Sequence, residues 1–184
     1  MNATPTADGL YALFPAADDR PELIPATPAE MPEPYRQLLV HTHHMTVTVE
    51  EYYGQAVNVK VLESVQGEHS YGRKILLSLQ ETGEVVQFGV IDVDLDALSD
   101  SVHREIVAGQ TPLGRVLIRN SVLRSIRPVA FFRVMPSPKL CTWFGLTEPQ
   151  VTYGRLGIIF TGERPAIQVL EILAPISAPS DRDR

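Results

Sequence analysis

The sequence predicts an α+β domain built on one antiparallel sheet. Three observations support this: apolar and polar residues alternate over several stretches, short turns such as ETGE and TGER join pairs of these stretches, and segments with helical spacing lie between the pairs. Strand hairpins with helices inserted between them are typical of the α+β class. The chain has 184 residues, of which 44% are hydrophobic, so it suits a single globular domain.

Residues 1–30 are predicted to form a Pro/Ala-rich extension. Proline lacks a backbone N–H, so such a stretch cannot easily sustain a helix or a strand ladder, and we expect it to be loosely packed. The domain itself then covers residues 31–175, and a polar tail covers residues 176–184. The prolines of the extension are Pro5, Pro15, Pro21, Pro25 and Pro28.

Two short helices and a strand are predicted next. Pro34 lies near the start of the first helix, in EPYRQLLVHTHH. In MTVTVEEYYG, Thr46 is expected to cap the second helix and Gly54 to end it. The segment QAVNVKVLESV alternates valines with polar residues, so it predicts a strand with one face in water.

A hairpin and two helices follow that strand. RKILLSLQ and VVQFGVIDVDL form the hairpin around ETGE, and DLDALSDSVHREIVAG forms a helix that ends at Gly109. In GQTPLGRVLI, Thr111 is expected to be the N-cap of the next helix and Pro112 its first residue. The N–H groups of Leu113 and Gly114 would then have no partner inside the helix and would form an anion site.

The last part of the chain is predicted to contain three strands. SIRPVAFFRVM forms a strand despite Pro128, and GRLGIIFTGERPAIQVLEIL forms two strands around the turn TGER. Between them, the segment with Pro136, Pro138 and Trp143 is expected to be a loop.

Charge and composition exclude several classes of partner. The net charge is −6 and the pI is about 5.3, with no long basic run, which argues against nucleic acid or an anionic membrane surface as the main partner. No stretch of about 18 apolar residues and no secretion signal is found, so we expect a cytoplasmic protein. Cys141 is the only cysteine, so it forms neither an intramolecular disulfide nor a Cys-rich metal site, and we expect it to be a small buried side chain.

Two charged residues, Arg73 and Glu171, fall on the apolar face of a predicted strand. An uncompensated buried charge is unfavourable, so each must be paired, hydrated or in contact with a ligand. Either the two pair with each other, or they line a pocket in which Arg73 binds a carboxylate and Glu171 contacts a hydroxyl or moves a proton. The apolar neighbours are Ile75, Leu77 and Leu79 for Arg73, and Ile167, Val169 and Leu173 for Glu171.

The histidines in HTHHM do not predict a metal site, because His41, His43 and His44 lack the i, i+4 spacing of a helical zinc motif. TYGRLG, at 152–157, has two glycines but not the context of a dinucleotide-binding loop. It is interpreted as a tight strand bend, with Arg155 as a second cation near the pocket. No serine elbow, phosphate loop or DNA-reading motif is present.

Four segments resemble the chorismate lyase family, including its actinobacterial branch. They are LLVHTHHMTVTVEEYYGQAVNVKVL, GRKILL, GQTPLGRVL (the most specific) and PAIQVLEILAP, and the resemblance covers most of residues 35–175. It implies a single domain on an antiparallel sheet that encloses its ligand and uses no cofactor and no metal. We expect a monomer or a weak dimer whose partner is a small molecule, with no nucleic acid and no membrane.

The resemblance also implies a reaction and a set of site residues. Family members remove the C4 proton of chorismate with loss of the enolpyruvyl ether at C3, which gives 4-hydroxybenzoate and pyruvate, so the chain would be a carbon–oxygen lyase. By this resemblance Arg73 and the N–H of Leu113 hold the ring carboxylate, Glu171 lies at the hydroxyl end, and Met45 packs on the ring. The catalytic residues would be Glu171 and Arg73. The second carboxylate of chorismate has two candidate partners, Arg127 and Arg155.

Two other functions stay open. The first is a divergent family member that acts on another small carboxylic acid in secondary metabolism. The second is a non-catalytic module that binds an aromatic acid, because the effector domains of some transcription regulators share this fold. Those regulators carry a winged-helix domain, and residues 1–30 are too short and too rich in proline to supply one.

Overall fold

In the computed structural model, over residues 5–15 and 18–176, seven strands form one antiparallel sheet in the order β1-β5-β6-β7-β4-β3-β2. The strands are β1 (Glu22–Ala26), β2 (Val57–Gln66), β3 (Ser70–Leu79), β4 (Val85–Asp94), β5 (Arg124–Met135), β6 (Thr152–Thr161) and β7 (Arg164–Leu173). The helices are α1 (Ala7–Ala12), α2 (Tyr35–Leu39), α3 (Met45–Tyr53), α4 (Asp100–Ala108), α5 (Leu113–Arg119) and α6 (Pro138–Trp143), with 3-10 turns at Pro28–Glu30 and Leu95–Ala97. The predicted α+β class is confirmed.

The order of the strands places three distant parts of the sequence side by side. β3 and β4 form the predicted hairpin, and β7 pairs with β4 on the other side. β6 and β7 form the second predicted hairpin. Arg73 on β3 and Glu171 on β7 therefore lie in neighbouring rows of one sheet, and only β4 lies between their strands.

Each face of the sheet is covered by its own set of helices. On one face, Leu76, Phe88 and Leu170 pack with residues of α1 and α6. On the other face, α4 and α5 cover one end of the sheet and α2 and α3 cover the other. Side chains alternate along each strand, so Arg73 faces α2–α5 whereas Lys74 faces α1.

The expectation of loose packing in residues 1–30 is wrong for α1 and β1. Leu10, Tyr11 and Phe14 are buried, because a short apolar segment between the prolines packs on the sheet. β1 tolerates Pro25 because it is an edge strand, which needs a ladder of hydrogen bonds on one side only. The predicted tail lies outside the described residues except for Ile176.

Three predicted local features differ from the structure. The N-cap of α5 is Pro112 rather than Thr111, and the N-cap of α3 is His44 rather than Thr46, and neither position makes a side-chain cap bond. The predicted loop after β5 contains α6, where the Ser137 hydroxyl accepts a hydrogen bond from the backbone N–H of Leu140 and starts a helix despite Pro138. The N-cap of α5 lies one residue after the predicted position and that of α3 two residues before it, and Pro138 occupies the first turn of α6, where its missing N–H is tolerated.

The predicted helix ends are confirmed where a glycine is needed. Gly54 and Gly109 follow α3 and α4 with φ of +68° and +70°, the left-handed region in which glycine is favoured. Pro128 lies next to a register shift in β5, which removes the need for its missing N–H. Cys141 is buried, as predicted. None of the helices in the described part of the chain is long and apolar enough to cross a membrane.

Candidate ligand-binding site

A small cavity lies between the sheet and the helices α3 and α5. Its volume is about 50 Å³, and Met45, Arg73, Leu113 and Glu171 all line it. These are the four positions that the sequence resemblance assigned to the substrate. The structure therefore brings together residues that are separated by up to 126 positions (171 − 45) in the chain.

The cavity floor is a small grid of residues on β3, β4 and β7. Residues directly opposite on paired strands point to the same face, and here every second residue of each strand faces the cavity side. Gly89 occupies the centre of the grid and contributes no side chain, so space is left above it. The three rows are Arg73, Ile91 and Val169; then Ile75, Gly89 and Glu171; then Leu77, Gln87 and Leu173.

Arg73 is a buried cation with incomplete hydrogen bonding. Its side chain is 1% exposed, its Nη1 donates to the carbonyl oxygen of Ile106 at 3.0 Å, and its Nε has no partner. Burial lowers the pKa of the guanidinium, and Tyr71 partly offsets this, but an arginine keeps its charge at neutral pH. Among the described residues no carboxylate forms an ion pair with it. The alternative in which Arg73 pairs with Glu171 is therefore wrong.

Glu171 pairs with Arg155 instead. The Nε of Arg155 donates to Oε2 of Glu171 at 2.7 Å, and the Arg155 side chain is only 2% exposed. Its Nη1 and Nη2 donate to the carbonyl oxygens of Leu39, His41 and His43. Arg155 is a second cation near the cavity, as predicted. It does not line the cavity, however, and its charge is already compensated by Glu171.

Arg127 is not brought to the cavity. It is exposed on β5, and its guanidinium lies over the ring of Phe160, 4.5 Å from the ring centre. Its neighbour Ile126 is buried, and side chains alternate along a strand, so Arg127 points away from the core. Arg127 is therefore not placed to bind the carboxylate of a ligand in this cavity.

Three polar residues of the cavity, His44, Thr46 and Gln87, were not predicted. Gln87 is 3% exposed, and its Oε1 has no hydrogen-bond partner. In VVQFGVIDVDL it shares a face with Gly89 and Ile91, so the alternation that identified Arg73 would have identified Gln87 as well.

His44 is held neutral between two arginines. Burial and the charges of Arg124 and Arg155 lower its pKa to about 4, and its Nε2 accepts a hydrogen bond from Nε of Arg124. His41 has its pKa lowered to about 4 by burial and by Arg155, and its Nε2 contacts the Leu38 carbonyl oxygen at 2.7 Å. Both histidines are therefore neutral at pH 7 and have hydrogen-bond partners. Among the residues that the structure describes, no group of three or more metal-ligating side chains is found.

The first turn of α5 packs tightly against the start of α3. A Cβ at Gly114 would lie 3.0 Å from Cβ of His44 and 3.1 Å from Oγ1 of Thr46. A glycine at this position therefore allows the two helices to approach and close the cavity. Leu113 and Gly114, whose backbone N–H groups the sequence predicts to form an anion site, both line the cavity.

Known structures with a similar fold include two of one protein. PhnF from Mycobacterium smegmatis matches 73% of this chain with a TM-score of 0.50 and 8% identity, and the chain spans 65% of the length of that structure. The effector domain of PhnF matches 72% of this chain and 88% of its own length, with a TM-score of 0.50 and 8% identity.

A third similar structure is gene product SA0254 from Staphylococcus aureus. It matches 77% of this chain and 97% of its own length, with a TM-score of 0.50 and 10% identity. No protein-family model matches the sequence, and no curated protein matches it either. At these identities the similarity establishes the fold alone. The chain has the chorismate lyase-like fold that the sequence resemblance implies.

Proposed function

We propose that this chain is a binding domain for a small organic acid, held by its carboxylate at Arg73. The supporting observation is the buried guanidinium of Arg73, which lines a cavity and has no carboxylate partner among the described residues. A buried cation without a counter-charge is unfavourable, and an anionic ligand supplies that charge. The unpartnered Nε is a free donor for one carboxylate oxygen.

The rest of the lining favours a ligand with a flat apolar body. Most of the cavity wall is aliphatic, so a ring can be buried there without leaving polar groups unpaired. The volume of about 50 Å³ limits the ligand to a small molecule. Simple aromatic acids such as 4-hydroxybenzoate combine one carboxylate with a flat apolar body. The apolar lining residues include Met45, Val59, Ile75, Leu77, Ile91, Leu113, Ile159 and Val169.

A binding role is favoured over chorismate turnover by the number of available cations. Chorismate carries two carboxylates, and Arg73 is the one arginine or lysine among the described residues that line the cavity. The donors of Arg155 are engaged by Glu171 and by backbone carbonyls, and Arg127 lies outside. A second carboxylate would have to be buried without a partner, which is costly. In PhnF a domain of this fold is described as an effector domain, and we propose a binding role of that kind here.

Chorismate lyase activity is the second candidate. It is favoured by the convergence of Met45, Arg73, Leu113 and Glu171 on one cavity, since the resemblance assigned these four positions to the substrate. In that reaction Glu171, which is paired with Arg155, would take the C4 proton while the C3–O bond breaks, and the released enolpyruvate would be protonated to pyruvate.

Two measurements on the full chain separate these functions. Calorimetry measures the affinity for 4-hydroxybenzoate, and chromatography measures the conversion of chorismate to 4-hydroxybenzoate against a protein-free control. The binding role predicts saturable binding and no conversion above the control. Conversion that is lost in Glu171→Gln would instead support the lyase, and neither binding nor conversion would contradict both proposals.

A further inference from the structure

The carboxyl side chain of Glu171 and the imidazole of His44 both have partners, whereas two buried polar atoms of the cavity lining, Nε of Arg73 and Oε1 of Gln87, do not. Oε2 of Glu171 accepts from Arg155, and Nε2 of His44 accepts from Arg124. The side-chain oxygen of Gln87 accepts from no group, although Gln87 is 97% buried and lines the cavity. A buried acceptor without a donor is unfavourable, and a ligand in the cavity can supply the missing donor.

Gln87 and Arg73 stand at opposite ends of the cavity floor. Arg73 lies opposite Ile91, and Gln87 lies opposite Leu77, which is four residues further along β3. At about 3.4 Å per residue this places the two backbone positions about 14 Å apart along the strand. Both side chains line the same cavity. The floor between them includes Gly89, which has no side chain.

On the basis of the proposed function, we infer that Gln87 selects acids that carry a hydrogen-bond donor opposite their carboxylate. A ligand held at Arg73 and lying over Gly89 brings its far end to Gln87. A hydroxyl or an amine there donates to Oε1, whereas a methyl group leaves this oxygen unpaired. A second carboxylate has no hydrogen to donate at neutral pH and meets no free cation at this end. The ligand class is therefore a hydroxy- or amino-substituted aromatic monocarboxylate.

The test compares matched ligands by calorimetry on the full chain. 4-Hydroxybenzoate and 4-methylbenzoate have nearly the same shape, and terephthalate places a carboxylate at the same position. We expect wild-type protein to bind 4-hydroxybenzoate at least about tenfold more tightly than 4-methylbenzoate, and terephthalate more weakly than either. In Gln87→Leu, which keeps the size of the side chain, the preference for hydroxyl over methyl should fall to within about twofold. The control Gln80→Leu makes the same change at an exposed position and should keep the preference.

Failure of this inference can be distinguished from failure of the proposed function. Equal affinity of wild-type protein for the hydroxyl and methyl ligands, or an unchanged preference in folded Gln87→Leu, would overturn the role of Gln87 while acid binding at Arg73 stands. The wild-type comparison does not depend on whether the variant folds. Absence of binding for all three acids would overturn the proposed function itself.

Discussion

Arg155 and Glu171 lie directly opposite each other on β6 and β7 and form an ion pair inside the domain, with 2.7 Å between Nε and Oε2. The same guanidinium donates to carbonyl oxygens between α2 and α3. One side chain therefore fixes both the carboxylate on the cavity wall and the segment that leads to Met45. Gly154 allows this packing, because a Cβ there would lie only 2.7 Å from the carbonyl oxygen of Glu171.

Removal of the Arg155 charge should destabilise the domain strongly. Arg155→Met leaves Glu171 without its partner and three carbonyl oxygens without their donor, so we expect a loss of about 3–5 kcal/mol in the free energy of unfolding. Urea denaturation measures this. Arg127→Met is the matched control at an exposed arginine on Phe160, and should cost at most about 1 kcal/mol. Equal stability of the two variants would contradict the role of Arg155.

The N-cap of α5 gives a second prediction. Since Thr111 is not the N-cap, Thr111→Ala should change the free energy of unfolding by less than about 0.5 kcal/mol. Ser137→Ala is the positive control, because the Ser137 hydroxyl caps α6 and donates to the carbonyl oxygen of Asp19. It should cost about 1 kcal/mol. A larger loss in Thr111→Ala than in Ser137→Ala would show that the cap assignment is wrong.

The buried side chain of His44 predicts lower stability in acid. The pKa of His44 is about 4 in the folded protein and near 6.5 in the unfolded chain, so between these values the unfolded chain binds more protons. The stabilisation is complete above about pH 6.5 and is lost as the pH falls towards 4. In His44→Gln this contribution is absent. The stability difference between wild-type protein and the variant, measured by urea denaturation, should therefore be smaller at pH 5 than at pH 7, and a constant difference would contradict this explanation.

The fold was predictable wherever a local pattern decides the structure. Alternating valines located β2, and glycines marked the ends of α3 and α4. The packing of α1 and the pairing of β1 were not predictable from the proline content. They depend on contacts with β5 and with a sheet face formed by residues more than 50 positions away.

The site was predictable in part for a similar reason. The alternation of side chains between the two faces of a strand identified Arg73 and Glu171 as charges on apolar faces, and the structure places both at one cavity. The predicted hairpin of β6 and β7 places Arg155 opposite Glu171. The position of β4 between β3 and β7 was not predictable, because no local pattern gives the order in which hairpins pair in a sheet. The neighbour of β7 is β6, which supplies Arg155 to Glu171, whereas β4 separates β7 from Arg73.

The central claim is that Arg73 is the anchor for the carboxylate of a small acid. It is tested most directly by titrating 4-hydroxybenzoate into wild-type protein and Arg73→Met in a calorimeter, with thermal unfolding of both as the control for folding. We expect the variant to lose about 2–3 kcal/mol of binding free energy, which is about 30- to 150-fold in affinity. Its unfolding temperature should be unchanged or higher, since a buried unpaired charge has been removed. Equal affinity in a folded Arg73→Met variant would contradict the claim.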